Sequence, residues 1–384
     1  MMKKLEQLIK ELCPNGVKFE KVKDVFQRLK GTPITAGKMK EIENPNGEIR
    51  IFAGGKTVIN ANEADIPNAN ITRVPAVLVQ SRGVIDVVYY ENPFTFKSEM
   101  WAYTTDNKTT VKYLYYVLKN NIQHFRDAAS GMGSLPQVSL PVTEEFYIPV
   151  PPLPIQEEIV RILDTFTELT AELTAELTAR RKQYEYYRNR MLTFDENHPF
   201  AERLKEMCPN GVERKNLGSM CKITTGKLNA NAENPDGNGK YPFFTCADTP
   251  KTIDYYAFDC EAILIAGNGN IGNATHYVGK FNAYQRTYVL NKFNCNARFL
   301  YHAIQCGLKN HVQKYQKDGT LPYITSPVLE SFVIPIPPLS IQQEIVHILD
   351  QFESLCNDIT SGLPAEIEAR QKQYEYYRDR LLRF

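Results

Sequence analysis

Paired cysteines are missing from this sequence. Its eight cysteines contain no C-x-x-C, and only Cys13 and Cys208 occupy matching places in the two halves. Zinc and redox frameworks need such spacings, so the cysteines read as reduced thiols in a cytoplasmic protein, with no metal site. No run of 18 apolar residues occurs, which excludes a membrane-spanning helix. The opening Met-Met-Lys-Lys-Leu-Glu leads into no apolar core of signal-peptide length. Charge of one sign is also absent: net charge is +1, so the chain is no polycation, and any nucleic-acid contact must come from a local patch. His124, His198, His276, His302, His311 and His347 are scattered and form no triad or metal-ligand spacing.

Three motifs are incomplete. Gly54-Gly-Lys-Thr57 lacks the phosphate loop's first glycine, because Arg50 stands five positions before Gly55. Gly267-Asn-Gly-Asn-Ile-Gly272 follows an expected strand, yet a dinucleotide fold needs a helix next. The sequence continues Asn273-Ala-Thr-His-Tyr-Val-Gly279, which reads as turn and strand. A glycine-rich hairpin or DNA-facing loop fits better. Glu91-Asn-Pro-Phe94 lacks the second proline of the Asn-Pro-Pro-aromatic motif of amino-methyltransferases, and no cofactor loop accompanies it, so it reads as a turn. Catalytic residues and cofactors are therefore not expected.

What is present is a duplication. Pro149-Val-Pro-Pro-Leu-Pro-Ile-Gln-Glu-Glu-Ile-Val-Arg-Ile-Leu-Asp-Thr-Phe166 returns as Pro335-Ile-Pro-Pro-Leu-Ser-Ile-Gln-Gln-Glu-Ile-Val-His-Ile-Leu-Asp-Gln-Phe352, an offset of 186 from 149 to 335. Lys182-Gln-Tyr-Glu-Tyr-Tyr-Arg-Asn-Arg-Met-Leu192 returns as Lys372-Gln-Tyr-Glu-Tyr-Tyr-Arg-Asp-Arg-Leu-Leu382, and Cys13-Pro-Asn-Gly-Val17 as Cys208-Pro-Asn-Gly-Val212. Ala76–Gln80 matches Ala262–Ala266, and Ser134-Leu-Pro136 matches Thr320-Leu-Pro322. Between these anchors the halves share little.

Periodicity fills in the elements. Residues 1–12 read as a helix. Strands are expected at Ala76–Gln80, Asp86–Tyr90 and Trp101–Thr104, and a short helix at Val111–Asn120 with Tyr113, Leu114, Val117 and Leu118 on one face. Residues 155–191 form a long helix whose seam, Ile155, Ile159, Ile162, Phe166, Leu169, Leu173, Leu177, Tyr184, Tyr187 and Met191, has coiled-coil spacing. The repeated Thr170-Ala-Glu-Leu173 and Thr174-Ala-Glu-Leu177 insert a stutter. The second helix opens on a Ser340/Gln343 capping box. Its seam runs through Ile341, Ile345, Ile348, Phe352, Leu355 and Ile359 to Tyr374, Tyr377 and Leu381, with a break at Ser361-Gly-Leu-Pro364. The fold class is α+β with a pseudo-twofold repeat: globular domains at 1–152 and 194–338, and helices at 153–193 and 339–384. If the halves are equivalent and the seams pair, the helices are antiparallel and form a coiled coil, and the second returns to the first domain.

Loops rich in Gly, Asn, Lys and Arg offer base-edge donors. The candidates are Lys56, Arg73, Gln80 and Arg82 in the first domain, and Asn268, Asn270, Lys280, Gln285 and Arg286 in the second. Arginine suits guanine, and carboxamides suit adenine. The basic helical tails read either as a solvated face or as a phosphate or partner contact.

The paired Pro-x-Pro-Pro-Leu-x-Ile-Gln-x-Glu-Ile, the helical tails, the Thr-Ala-Glu-Leu repeats and the two dissimilar domains resemble the specificity subunit of type I restriction–modification systems. The resemblance spans nearly the whole chain. It implies two target-recognition domains, each reading half of a bipartite double-stranded DNA sequence. It implies helices that set the spacing and dock two modification (methyltransferase) subunits, with restriction (endonuclease and translocase) subunits as further partners. Gln156, Glu158, Arg181, Tyr186, Gln342, Glu344 and Tyr376 are the candidate docking residues under it. S-adenosylmethionine binding, methylation and cleavage would lie in the partners, leaving this chain non-catalytic. Two other readings stand beside it: a self-sufficient adenine methyltransferase, which would need the missing motifs, and a coiled-coil scaffold with no DNA role.

Overall fold

A computed structural model describes residues 2–130, 135–234, 236–315, 323–358 and 361–384. The chain forms two compact units. One comprises Met1–Leu173 with Ile367–Phe384, the other Thr174–Glu366.

In the first unit an antiparallel sheet has the order Gln27–Leu29, Trp101–Thr104, Ala76–Gln80, Asp86–Tyr90. Successive side chains of a strand point to opposite faces, and Ala76–Gln80 is buried on both. Val77 and Val79 enter a core shared with the helices, while Ala76 and Leu78 enter a second core with Phe94 and Phe96. The helix Lys108–Asn120 buries Val111, Tyr113, Leu114, Val117 and Leu118. Asn107 caps it, its side chain accepting from Thr110 N at 3.0 Å. A separate three-stranded sheet, Val58–Ala61, Ile49–Phe52, Phe94–Phe96, packs on the second core through Phe52, Phe94 and Phe96. Pro93 sits in the turn between Asp86–Tyr90 and Phe94–Phe96, where it cannot donate to a ladder.

The second unit repeats this frame. Lys222–Thr225, Thr287–Asn291, Phe258–Ala266 and Ala274–Ala283 take the same order. Ile263 and Ile265 face one core, and Ala262 and Leu264 the other. Here Ala274–Ala283 runs unbroken, with Gly279 at φ +132° and no proline. It pairs in parallel with Tyr241–Phe244, so the sheet grows to six strands. The helix Ala297–Gln313 stands where Lys108–Asn120 stands in the first unit, capped by Asn296.

Leu153–Leu192 is one helix of 40 residues, about 60 Å long at 1.5 Å per residue. The C-terminal helices are Leu339–Asn357 and Leu363–Leu381. Between them, a Cβ on Gly362 would stand 2.6 Å from Ser354 O, 2.7 Å from Asp358 O and 2.9 Å from Leu355 O. Only glycine admits that approach. In the first unit Phe166 stacks on Tyr377 at 5.3 Å, and in the second Tyr187 stacks on Phe352 at 5.2 Å. The two pairings run in opposite chain order, as antiparallel helices require.

Two helical expectations are corrected. Ser340 does not cap its helix, because the helix begins at Leu339 with Pro338 before it and no side-chain cap bond. The seam is also not a pure heptad stripe. Leu169 and Leu355 are each 38% exposed, while Leu163 and Leu349, outside the expected seam, are fully buried. These stretches pack against the domains as well as against a helix, which widens and rotates the apolar face. Ile359, Ser134 and Thr320–Pro322 lie outside the described residues.

Candidate nucleic-acid interface

The turn that follows Ala76–Gln80 is built from two left-handed glycines. Gly55 has φ +71° and Gly83 φ +79°, conformations that side chains disfavour. Gly55 N donates to Arg82 O at 3.0 Å, and Gln80 Nε2 donates to Gly55 O at 3.0 Å. Gln80 is therefore a buried strap, not a base reader, and that expectation is corrected. The strap brings the Lys56 and Arg82 segments together. Both side chains are exposed, and among the described residues neither has a side-chain partner. Arg73 stands elsewhere, its guanidinium held by Glu63 at 2.6 Å.

The second unit repeats the Arg82–Gly83 part of this turn 186 residues later, with Ala266 in place of the Gln80 strap. Arg82 bridges Gln137, and Asn268 bridges Tyr323. Val138 N donates to Ser81 O, and Ile324 N to Gly267 O, each at 2.8 Å. Gly269, the counterpart of Gly83, has φ +67°. A cleft of about 760 Å³ is lined here by Asn268, Gln285, Arg286 and Tyr323, among others. No side-chain partner holds Asn268, Gln285 or Arg286 among the described residues. Asn270 is diverted, donating to Asp248 at 2.5 Å. Lys280 projects from the strand Ala274–Ala283, its ammonium 4.8 Å from the centre of the Tyr256 ring. Gln137 and Tyr323 escaped the sequence reading. The only signal was the Leu-Pro dipeptide that precedes each.

Among the docking candidates, Gln156 and Gln342 are corrected. Both are buried, and each donates Nε2 to a proline carbonyl, Pro151 or Pro337, at 2.7 Å. Gln342 Oε1 also accepts from Asn296 N, tying helix to domain. Glu158 is corrected too, being buried between Arg161 and Lys4 at 2.7 and 2.9 Å. The Arg161 and Lys4 hydrogen bonds hold its carboxyl down at about 2 against burial. Glu344 is half-exposed but bonded to Arg203 at 2.7 Å. Arg181, Tyr186 and Tyr376 are exposed.

Among the large exposed apolar side chains, five pairs recur at equivalent positions. The first unit carries Leu12, Tyr147, Leu153, Leu169 and Tyr376. The second carries Met207, Val333, Leu339, Leu355 and Tyr186 at the matching repeat positions.

An equivalent carboxylate, Asp164 or Asp350, ties each helix to its domain, joined in the second unit by Glu353. Asp164 accepts from Lys112 at 2.7 Å and from Tyr116 at 2.5 Å. Asp350, 186 residues on, accepts from Arg298 at 2.8 Å and meets His302 Nε2 at 2.7 Å. Burial works against the charge on Asp350, but His302 and Arg298 outweigh it and lower its pKa. His302, Asp350 and Glu353 lie close enough together to suggest a cation site. The Arg298 guanidinium already bonds both carboxylates, so the group is a closed ion-pair node.

Two copies of one sheet-and-helix frame, each with a glycine turn presenting unpartnered donors, define a duplicated recognition module joined by helices. The family model for the type I restriction modification DNA specificity domain matches residues 14–180 and 209–369, and the chain belongs to this family. It is 37% identical over 309 residues to the Escherichia coli type I restriction enzyme EcoR124I/EcoR124II specificity subunit, covering 73% of this chain and 72% of that one. A putative type I restriction enzyme specificity subunit of Haemophilus influenzae is 34% identical over 303 residues, covering 72% and 73%. The crystal structure of the type I restriction–modification S subunit from M. genitalium shares the fold, with a TM-score of 0.67 at 19% identity over 96% of this chain and 97% of that one.

Proposed function

We propose that the chain is the non-catalytic specificity subunit of a type I restriction–modification complex. Each globular domain reads one half of a bipartite DNA target, and the helices set the spacing and dock modification subunits. The observation that carries this reading is the glycine turn repeated at a constant offset of 186, with Lys56 and Arg82 in one copy and Asn268, Gln285 and Arg286 in the other lacking side-chain partners among the described residues. Two surfaces rather than one are needed to read a split site. Arg73 and Asn270 hold partners of their own and contribute less directly. Five pairs of exposed apolar side chains recur at matching repeat positions, so a partner docked on one copy would find an equivalent surface on the other. Arg181, Tyr186 and Tyr376 belong to those surfaces.

Mapping methylated adenines in DNA from cells carrying this chain with a modification subunit tests the reading. The expected result is methylation at one bipartite sequence, none without this chain, and no methyl transfer by the purified chain alone. Methyl transfer by the chain alone, or methylation without sequence preference, would overturn it.

A further inference from the structure

Position 82 and its counterpart 268 occupy the same place in the repeated turn, yet one is arginine and the other asparagine. Both lie in a bridge to the strand-like segment opposite, Gln137 or Tyr323. Both are followed by a left-handed glycine, Gly83 at φ +79° and Gly269 at φ +67°. Both side chains are without a partner among the described residues, whereas Arg73, Gln80 and Asn270 are committed to Glu63, Gly55 and Asp248. The backbone at the two positions is thus held constant while the donor chemistry changes.

We infer that this is one specificity position used twice: Arg82 reads a guanine in the half-site of the first domain, and Asn268 reads an adenine in the half-site of the second. This rests on the reading of the chain as a DNA specificity subunit. The guanidinium presents two parallel N–H donors that match guanine O6 and N7. The carboxamide pairs one acceptor and one donor with adenine N6 and N7. The two side chains are also interchangeable in space. Arg82 is exposed, so a shorter side chain leaves no hole. Asn268 borders a cleft of about 760 Å³, so a longer one has room.

The test uses the full chain assembled with modification subunits and a randomised DNA library, with bound sequences read by sequencing. Arg82→Asn is expected to change one guanine to adenine in one half-site. Asn268→Arg is expected to change one adenine to guanine in the other half, with the gap and remaining bases unaltered. A second measurement needs no substitution in the protein. Replacing that guanine by 7-deazaguanine in the wild-type site removes the N7 acceptor and should weaken binding about five- to a hundredfold, with little effect at guanines outside the site. Swaps that leave the selected base unchanged, or that alter the opposite half, overturn the inference. If a swap abolishes binding, the 7-deazaguanine result decides, and undiminished affinity overturns it. A wild-type complex that selects no bipartite sequence would instead sink the underlying functional reading.

Discussion

Glu158 shows how one side chain ties the N-terminal helix to the long one. Its carboxylate is 3% exposed and bonded to Arg161 and to Lys4. Its pKa falls from the ordinary 4.5 to about 2, through the Arg161 hydrogen bond first and that of Lys4 after it, against burial. A carboxyl depressed in the folded state stabilises above its unfolded pKa and stops doing so as pH falls through its folded value. Glu158→Gln is therefore expected to lower stability by about 1–3 kcal/mol at neutral pH. The difference from wild type should shrink between pH 4.5 and 2. Denaturant midpoints of both proteins across that range check this, and a difference independent of pH would contradict it. Gly362 is the second sensitive position. Ala there would press a methyl against three backbone carbonyls, so Gly362→Ala should cost more than about 1 kcal/mol, read as a lowered thermal midpoint of the second unit.

At the scale of the element, the two carboxylate nodes make a controlled comparison. Asp164 serves Lys112 and Tyr116, and Asp350 serves Arg298 and His302. Lys112 and Arg298 are about equally exposed, at 29% and 27%, and Tyr116 and His302 are both buried, so the nodes differ in Glu353, which keeps Arg298 paired when Asp350 is lost. Asp164→Ala should therefore destabilise by about 2 kcal/mol or more, and Asp350→Ala by less. Urea denaturation of each variant measures this. A larger loss for Asp350→Ala would mean that the second carboxylate does not hold Arg298 in its place. The elements themselves were legible where β-formers ran between turn residues. Ala76–Gln80, Asp86–Tyr90 and Trp101–Thr104 appear with the bounds so expected. Gln80 was misread because a glutamine at a strand end looks the same whether it faces solvent or straps a neighbouring turn. Only the approach of Gly55, 25 residues earlier in the chain, distinguishes the two. Gln156, Gln342 and Glu158 were misread for a similar reason, since their partners lie off the helix face that periodicity describes. Leu169 and Leu355 failed because a heptad assumes one neighbour, and these helices have two.

For the molecule as a whole, the duplication predicted a second helix returning to the first domain, and residues Ile367–Phe384 belong to the first unit. Tyr374, Tyr377, Leu381 and Leu382 pack into its core, so that unit is assembled from both ends of the chain. Ending the chain at Glu366 should expose this core and shift the unfolding of the first unit, leaving the second unit's core intact. Hydrogen exchange resolved by residue would show protection lost at Val117, Ile159 and Leu163 but kept at Ile304 and Leu308. The length of the long helix carries the further consequence. Leu153–Leu192 is continuous through Thr170-Ala-Glu-Leu173 and Thr174-Ala-Glu-Leu177. Removing one such unit shortens it by about 6 Å. B-DNA rises about 3.4 Å per base pair, so a ruler of this kind should shorten the unread gap by about two base pairs. Under the proposed reading the half-site bases are read at the glycine turns, which the deletion does not touch. Mapping methylated adenines for the deletion variant should therefore return the same two half-sites at a smaller separation. Altered half-sites at the original separation would mean that the helix does not set the distance.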